Sequence, residues 1–187
     1  MMLKGLMERR LQIGLVLDTN RINSRGKLPH MNRLEKWGAD GVIYLFVTDT
    51  VHKEAERGGD KLGTKAWRRV GLVAPPLIAA DRELWNEIAA TIFPNGVLTD
   101  KQRNDVQIVF TTAKFGLILI TNDGDSKGQP GGILGHAKEL RQKHHIRVMR
   151  DFEAVDFVEK EIAERDALRR RLAALAGIPL DEMVESN

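Results

Sequence analysis

Four short apolar runs, at residues 13–17, 42–47, 117–120 and 146–149, constrain the fold more than any other feature of the chain. The first three are apolar throughout and the fourth, "IRVM", is apolar except for Arg147; none alternates strictly in polarity, which is the pattern of a strand covered on both faces. Segments with helical spacing separate them. In "TDTVHKEAERGG", Val51 and Ala55 form one apolar stripe and Gly58-Gly59 supplies a stop. Ile78, Leu84, Trp85, Ile88 and Ile92 form a looser stripe that Pro94 closes. Thr99 followed by Gln102 is a capping box, predicting a helix through Lys114 with Val106, Val109, Phe110 and Ala113 on its face. Residues 134–143 and 152–176 also read as helices. Residues 20–36 read as helical, interrupted by Gly26 and Pro29, and residues 60–76 as a helix plus linker. The alternation implies an α/β fold of three layers, with a central, mainly parallel sheet flanked by helices.

Two of the runs end in acids. "LVLDTN" places Asp18 behind the first, and "LILITNDGD" places Asp123 and Asp125 behind the third. In an open parallel sheet the carboxyl ends of adjacent strands border one crevice, so acids distant in sequence can meet there. The helix carrying Glu54 starts after a strand and so at the same edge, and Asp105 lies early in the capped helix. Converging carboxylates repel one another in a low dielectric unless protons or cations neutralise them. With no Cys in the chain and few clustered His, the hard-oxygen set suits Mg²⁺ or Mn²⁺ better than a soft metal. Such an ion can activate water and stabilise the charge developed in phosphoryl transfer.

Each residue also has a plainer role available. Asp18 and Asp123 suit helix caps or turns. Glu54 competes with Glu56 and, more distantly, with Asp49 for the cleft. Asp125 either assists a second ion or holds the "DGD" turn. Thr121 and Asn122 either orient the carboxylates or make turn hydrogen bonds. His144-His145 reads as a helix end, because adjacent helical residues do not share a face. The glycines of "GDSKGQPGGILG" match no phosphate-binding motif and read as a mobile connection. Lys127 and Lys138 beside them are either nucleic-acid contacts or ordinary surface lysines. Trp37, Trp67 and Trp85 are scattered, and no platform for stacked bases is evident; Trp85 reads as core.

At 187 residues the chain suits one domain. Its charge is divided: residues 1–149 hold 23 basic and 16 acidic side chains, net +7, while residues 150–187 hold 6 and 10, net −4. The basic part would attract a polyanion. The apolar stretch near the start is broken by Gln12 and ended by Asp18, too short for a signal peptide or a membrane span, so a soluble, cytoplasmic protein is expected with no membrane partner.

Together these blocks resemble the PIN-domain family of metal-dependent ribonucleases, which includes many toxin-antitoxin toxins. "LVLDTN" carries Asp18, "VTDTVHKEAER" carries Glu54, "RNDVQIVFTTAKFG" carries Asp105 and "LILITNDGD" carries Asp123. The resemblance covers residues 13 to about 149. It implies a PIN-like nuclease domain over residues 1–149, with residues 150–187 as a helical extension. It also implies that Asp18, Glu54, Asp105 and Asp123 bind Mg²⁺ or Mn²⁺ and carry phosphodiester hydrolysis, with Asp125 a further candidate metal ligand. Thr19 or Asn20 would support the metal or phosphate. The partners implied are RNA, a protein regulator and a second copy of the chain.

Other readings stay open. The same site would serve a structure-specific DNA nuclease, and a catalytically inactive RNA-binding or protein-interaction scaffold would keep the fold without turnover. A haloacid-type phosphatase is disfavoured, because Asp18 is followed by Thr19 and Asn20 and no Asp stands two positions on. The final segment either packs on its own domain or mediates dimerisation through Leu168, Leu172 and Leu175; a homodimer is the expectation.

Overall fold

A computed structural model describes residues 11–23, 25–68, 70–72, 78–97, 99–126 and 129–177. Strands β1 (Gly14–Leu17), β2 (Tyr44–Thr48), β3 (Val70–Leu72), β4 (Ile118–Ile120) and β7 (Arg147–Met149) form one parallel sheet in the order β3-β2-β1-β4-β7. A separate two-stranded antiparallel ribbon joins β5 (Asp125–Ser126) to β6 (Gln129–Pro130). The helices are α1 (Pro29–Ala39), α2 (Asp49–Arg57), α3 (Asp60–Trp67), α4 (Ala79–Ile92), α5 (Asp100–Lys114), α6 (Gly132–Gly135), α7 (Ala137–His144) and α8 (Asp151–Ala176). The result is the α/β fold expected, with a parallel central sheet flanked by helices, consistent with a three-layer PIN-like architecture.

The apolar runs are continuous because the central strands are covered on both faces: Leu15, Val16, Leu17, Leu119 and Ile120 are all buried. Leu15 lies opposite Leu45 on one side and Ile118 on the other, so β1 is the middle of the sheet. From β1 the chain first builds outward through β2 and β3, then returns to add β4 and β7 on the opposite side. The reversal lies between β1 and β4, and the crevice at their carboxyl ends is where open α/β sheets hold ligands.

Local signals account for most helix starts. Thr48 Oγ1 accepts the Val51 amide to open α2. At α5 both capping-box bonds form: Gln102 N donates to Thr99 Oγ1 at 3.2 Å, and Thr99 N to Gln102 Oε1 at 3.0 Å. That box sets where α5 starts, and with it the height of Asp105. Helix α8 buries Ala154, Val155 and Val158 in the common core and packs along α1, where Arg33 pairs with Glu159.

Four expectations change. The stretch at 60–76 contains, besides helix α3, the edge strand β3, whose three residues and central Gly71 are too short to show a period. Gly71 also leaves room for His52, since a Cβ there would stand 3.1 Å from its Nε2. Only a 3₁₀ turn at Thr19–Arg21 occupies the start of the 20–36 segment, and the α-helix waits for Pro29 at its first position. The 134–143 helix is two pieces, divided at His136. His144 does end α7, yet its side chain is buried against α4, with Nε2 at 3.1 Å from Thr91 Oγ1.

Candidate functional site

Asp18 leaves β1 as the cap of the 3₁₀ turn. Its Oδ1 accepts the Thr19 amide at 2.7 Å; its Oδ2 accepts Asn20 Nδ2 at 2.7 Å and the Thr121 hydroxyl at 2.6 Å. The cap reading and the cleft reading therefore hold together for one carboxylate. Burial pushes the Asp18 carboxyl up, the Thr121 and Thr19 donors pull it back, and the nearby charges of Glu54 and Asp123 raise it again.

Glu54, one turn before the end of α2, reaches the same edge. Its Oε2 accepts the Thr19 hydroxyl at 2.5 Å and its Oε1 accepts Asn104 Nδ2 at 2.8 Å. Asp49 instead faces its own helix, with Oδ2 3.6 Å from Lys53 Nζ. Glu56 accepts the Trp67 indole N–H at 2.9 Å. Of the three candidates on α2, only Glu54 joins the β1 and α5 residues.

Asp105 is buried on α5, and its Oδ2 has no hydrogen-bond partner among the described residues. Burial first, then the charges of Asp18 and Asp123, push its pKa from 3.8 to about 7; Lys101 opposes this and Glu54 adds to it. Asp123 follows β4. Its amide donates to Thr121 Oγ1 at 3.0 Å, and its Oδ2 accepts the Ile133 amide at 3.1 Å, so it also caps α6. The four carboxyls thus share one edge and feel one another's charge. As placed, however, no three acids or histidines among the described residues stand close enough to ligate one ion together. The electrostatic coupling acts over longer distances than ligation, so the two observations are compatible.

The supporting residues divide. Asn20 spans the crevice: its Oδ1 accepts the Asn122 amide at 3.0 Å while its Nδ2 serves Asp18. Asn122 enters through its backbone, and its side chain is exposed. Thr121 is fully buried. The backbone of Asp125 lies in β5, opposite Pro130. Lys138 stands exposed in the first turn of α7. Lys127 lies outside the described residues.

Three residues outside the expected site set also contribute. Asn104, which holds Glu54, was signalled only by an amide beside Asp105. Gly132, within the segment that reads as a mobile connection, is packed: a Cβ there would fall 2.5 Å from the Asp123 carbonyl oxygen and 2.7 Å from its Oδ2, and its φ is +47°. Arg21 donates to the Asn20 carbonyl and side-chain oxygens and pairs with Asp151 at 3.2 Å, tying the turn after β1 to α8.

No helix among the described residues is long and apolar enough to cross a membrane. No family model matches the chain, and no curated protein matches it. Among solved structures it is similar to VapBC2 from Rickettsia felis bound to a DNA fragment from their promoter, with a TM-score of 0.47 and 13% identity, covering 74% of this chain and 98% of that one. A likeness that distant carries no argument about activity.

Proposed function

We propose that the chain is a divalent-metal-dependent endoribonuclease that hydrolyses RNA phosphodiester bonds at the acidic edge between β1 and β4. One observation carries the reading. Asp105 Oδ2 is buried without a hydrogen-bond partner among the described residues, in the field of three other carboxyls. A carboxyl so placed must be neutralised by a proton or compensated by a cation. The donors are oxygen only, which fits Mg²⁺ or Mn²⁺; Asp18, Glu54, Asp105 and Asp123 would hold the ion by closing on it from positions where no three of them yet stand within ligating reach of one point, with Asp125 as a further candidate. When bound, such an ion supplies water activation and charge neutralisation at the phosphate. The chain's own contribution is positional. Thr19 and Asn104 orient Glu54, Thr121 and Asn20 orient Asp18, and the Ile133 amide orients Asp123. The net +7 of residues 1–149 would gather the polyanionic substrate.

The test is cleavage of labelled RNA, single-stranded DNA and flap DNA side by side with Mn²⁺, with EDTA, and with Asp18→Asn. Cleavage of RNA that is lost in EDTA and in the variant is the expected result. Metal-independent cleavage persisting in Asp18→Asn overturns the assignment, and equal or faster turnover of DNA changes the substrate class. A binding scaffold without turnover is the second reading, drawn from the separation of the acids. Calorimetric titration showing no Mn²⁺ uptake, with RNA affinity intact, would favour it.

A further inference from the structure

Outside the acidic edge, helices α4 and α5 form a groove of about 380 Å³ lined by Arg82, Trp85, Asn86, Arg103 and Gln107. The two helices pack as neighbours, and their cross-contacts define their direction. Asp81, at the start of α4, meets Lys114 at the end of α5, with 2.6 Å between Oδ1 and Nζ. One turn further along α4, the Trp85 indole N–H donates to Gln107 Oε1 at 3.2 Å. The helices are therefore antiparallel. Arg82 lies toward the Lys114 end of the groove, Arg103 toward the opposite end, and the indole lies between them.

Both arginines are exposed, and among the described residues neither guanidinium has an ion pair or hydrogen bond. Trp85, by contrast, is half-buried and packed against the core, and its polar edge is tied to Gln107, which in turn reaches Thr111 Oγ1 at 3.5 Å. An aromatic ring held in place between two free guanidiniums suits a ligand with a flat face between two anionic groups. That is the repeating unit of a single-stranded nucleic acid, whose bases stack on aromatic side chains while arginines take the phosphates. The Arg103 end is level with the acidic edge along α5, where Asn104 holds Glu54 and Asp105 follows, although successive helical positions turn those side chains onto other faces of α5.

We infer that the α4–α5 groove is a subsite for single-stranded RNA, in which a base stacks on Trp85 and Arg82 and Arg103 hold the flanking phosphates. The substrate class rests on the function proposed above; the groove's chemistry does not. Asn86 and Gln107 supply neutral donors and acceptors beside the stacked base.

The test separates binding from cleavage. Fluorescence anisotropy of a labelled single-stranded RNA, in EDTA so that nothing is cut, is measured across a salt series for the wild type, Arg82→Ala/Arg103→Ala, Trp85→Phe and Trp85→Leu, each checked for an unchanged melting curve. For the double arginine variant the expected result is affinity weaker by about tenfold or more and a salt slope shallower by about 1.4, as two lost phosphate contacts on a single strand require. Trp85→Leu should weaken binding of RNA but not of an abasic oligomer of the same length, and Trp85→Phe should recover much of the loss. RNA affinity and salt slope unchanged in the double variant overturn the subsite, as does displacement from this groove by an acidic peptide but not by RNA, which would make it a protein-docking surface. If groove-dependent binding persists while no RNA is ever cleaved, the subsite stands and the nuclease reading fails. If cleavage proceeds with unchanged KM in the double variant, the subsite fails and the nuclease reading stands.

Discussion

The Thr121 hydroxyl donates to Asp18 Oδ2 at 2.6 Å across 103 residues of chain, and the same oxygen accepts the Asp123 amide at 3.0 Å. One buried side chain therefore ties the Asp18 carboxylate, behind β1, to the backbone of Asp123, behind β4. Parallel pairing of the strands brings the segments together, and this hydroxyl links them once they meet.

Replacing it tests that role. Thr121→Val keeps the shape but leaves the Asp123 amide without its acceptor and Asp18 short of a donor. Unfolding in urea should show a loss of about 1–3 kcal/mol, with Thr121→Ser retaining most of the wild-type value. A Val variant as stable as wild type would mean that the bridge is incidental.

The raised pKa of Asp105 predicts the pH dependence of the metal-free protein. Its folded-state pKa of about 7 lies above the unfolded value of 3.8, so the stabilisation is fully present below the unfolded value and is lost as pH rises through about 7. Asp18, raised in the same direction, adds to the trend. In EDTA, stability should therefore fall between pH 4 and 8, by up to about 4 kcal/mol from Asp105. Asp105→Asn should flatten the profile and be the more stable protein at pH 8. A profile that rises over this range would contradict the burial argument.

Gly132 and Gly135 make a matched pair. A Cβ at Gly132 would press on the Asp123 carbonyl and carboxylate, at a φ of +47°, whereas a Cβ at Gly135 meets nothing within 4 Å. Gly132→Ala should cost about 1 kcal/mol or more in stability, because alanine is strained at positive φ, and should displace Asp123 enough to abolish most RNA cleavage. Gly135→Ala should leave both unchanged. Chemical denaturation and an initial-rate assay on the two variants decide it.

Asn104 touches Glu54 without being an acid itself. If it positions that carboxylate, Asn104→Leu should lower Mn²⁺ affinity or turnover by about 10–100-fold while leaving RNA affinity in EDTA unaltered. Calorimetric titration of Mn²⁺ reads the first effect, and anisotropy reads the second. Equal loss of RNA binding would place Asn104 at the substrate instead.

Leu168 and Leu175 on α8 are 44% and 85% exposed, the widest apolar exposure on that helix. If they form a twofold contact, light scattering at micromolar concentration gives about twice the 21.0 kDa chain mass, in line with the prevalence of closed dimers. Leu168→Glu/Leu175→Glu then halves it. A wild-type monomer removes the dimer from consideration.

What the sequence determined by itself was everything written in neighbouring residues. Unbroken apolar runs announced β1, β2 and β4, because a strand buried on both faces has little room for polar positions, while the edge strand β7 tolerates Arg147 within its run. The Thr99/Gln102 box located α5, because both of its bonds close within one turn. Acids directly behind β1 and β4 predicted a shared crevice, because parallel strands end on the same side. Tertiary structure alone decided the rest. Strand β3 exists because β2 offers it an edge. Glu54, instead of Asp49 or Glu56, reaches the β1 and α5 residues because Thr19 and Asn104, 35 and 50 residues away, supply its hydrogen bonds. Gly132 is needed because Asp123 folds back against it. Each of these depends on a partner distant along the chain, and a linear pattern records no such partner until packing brings the two together.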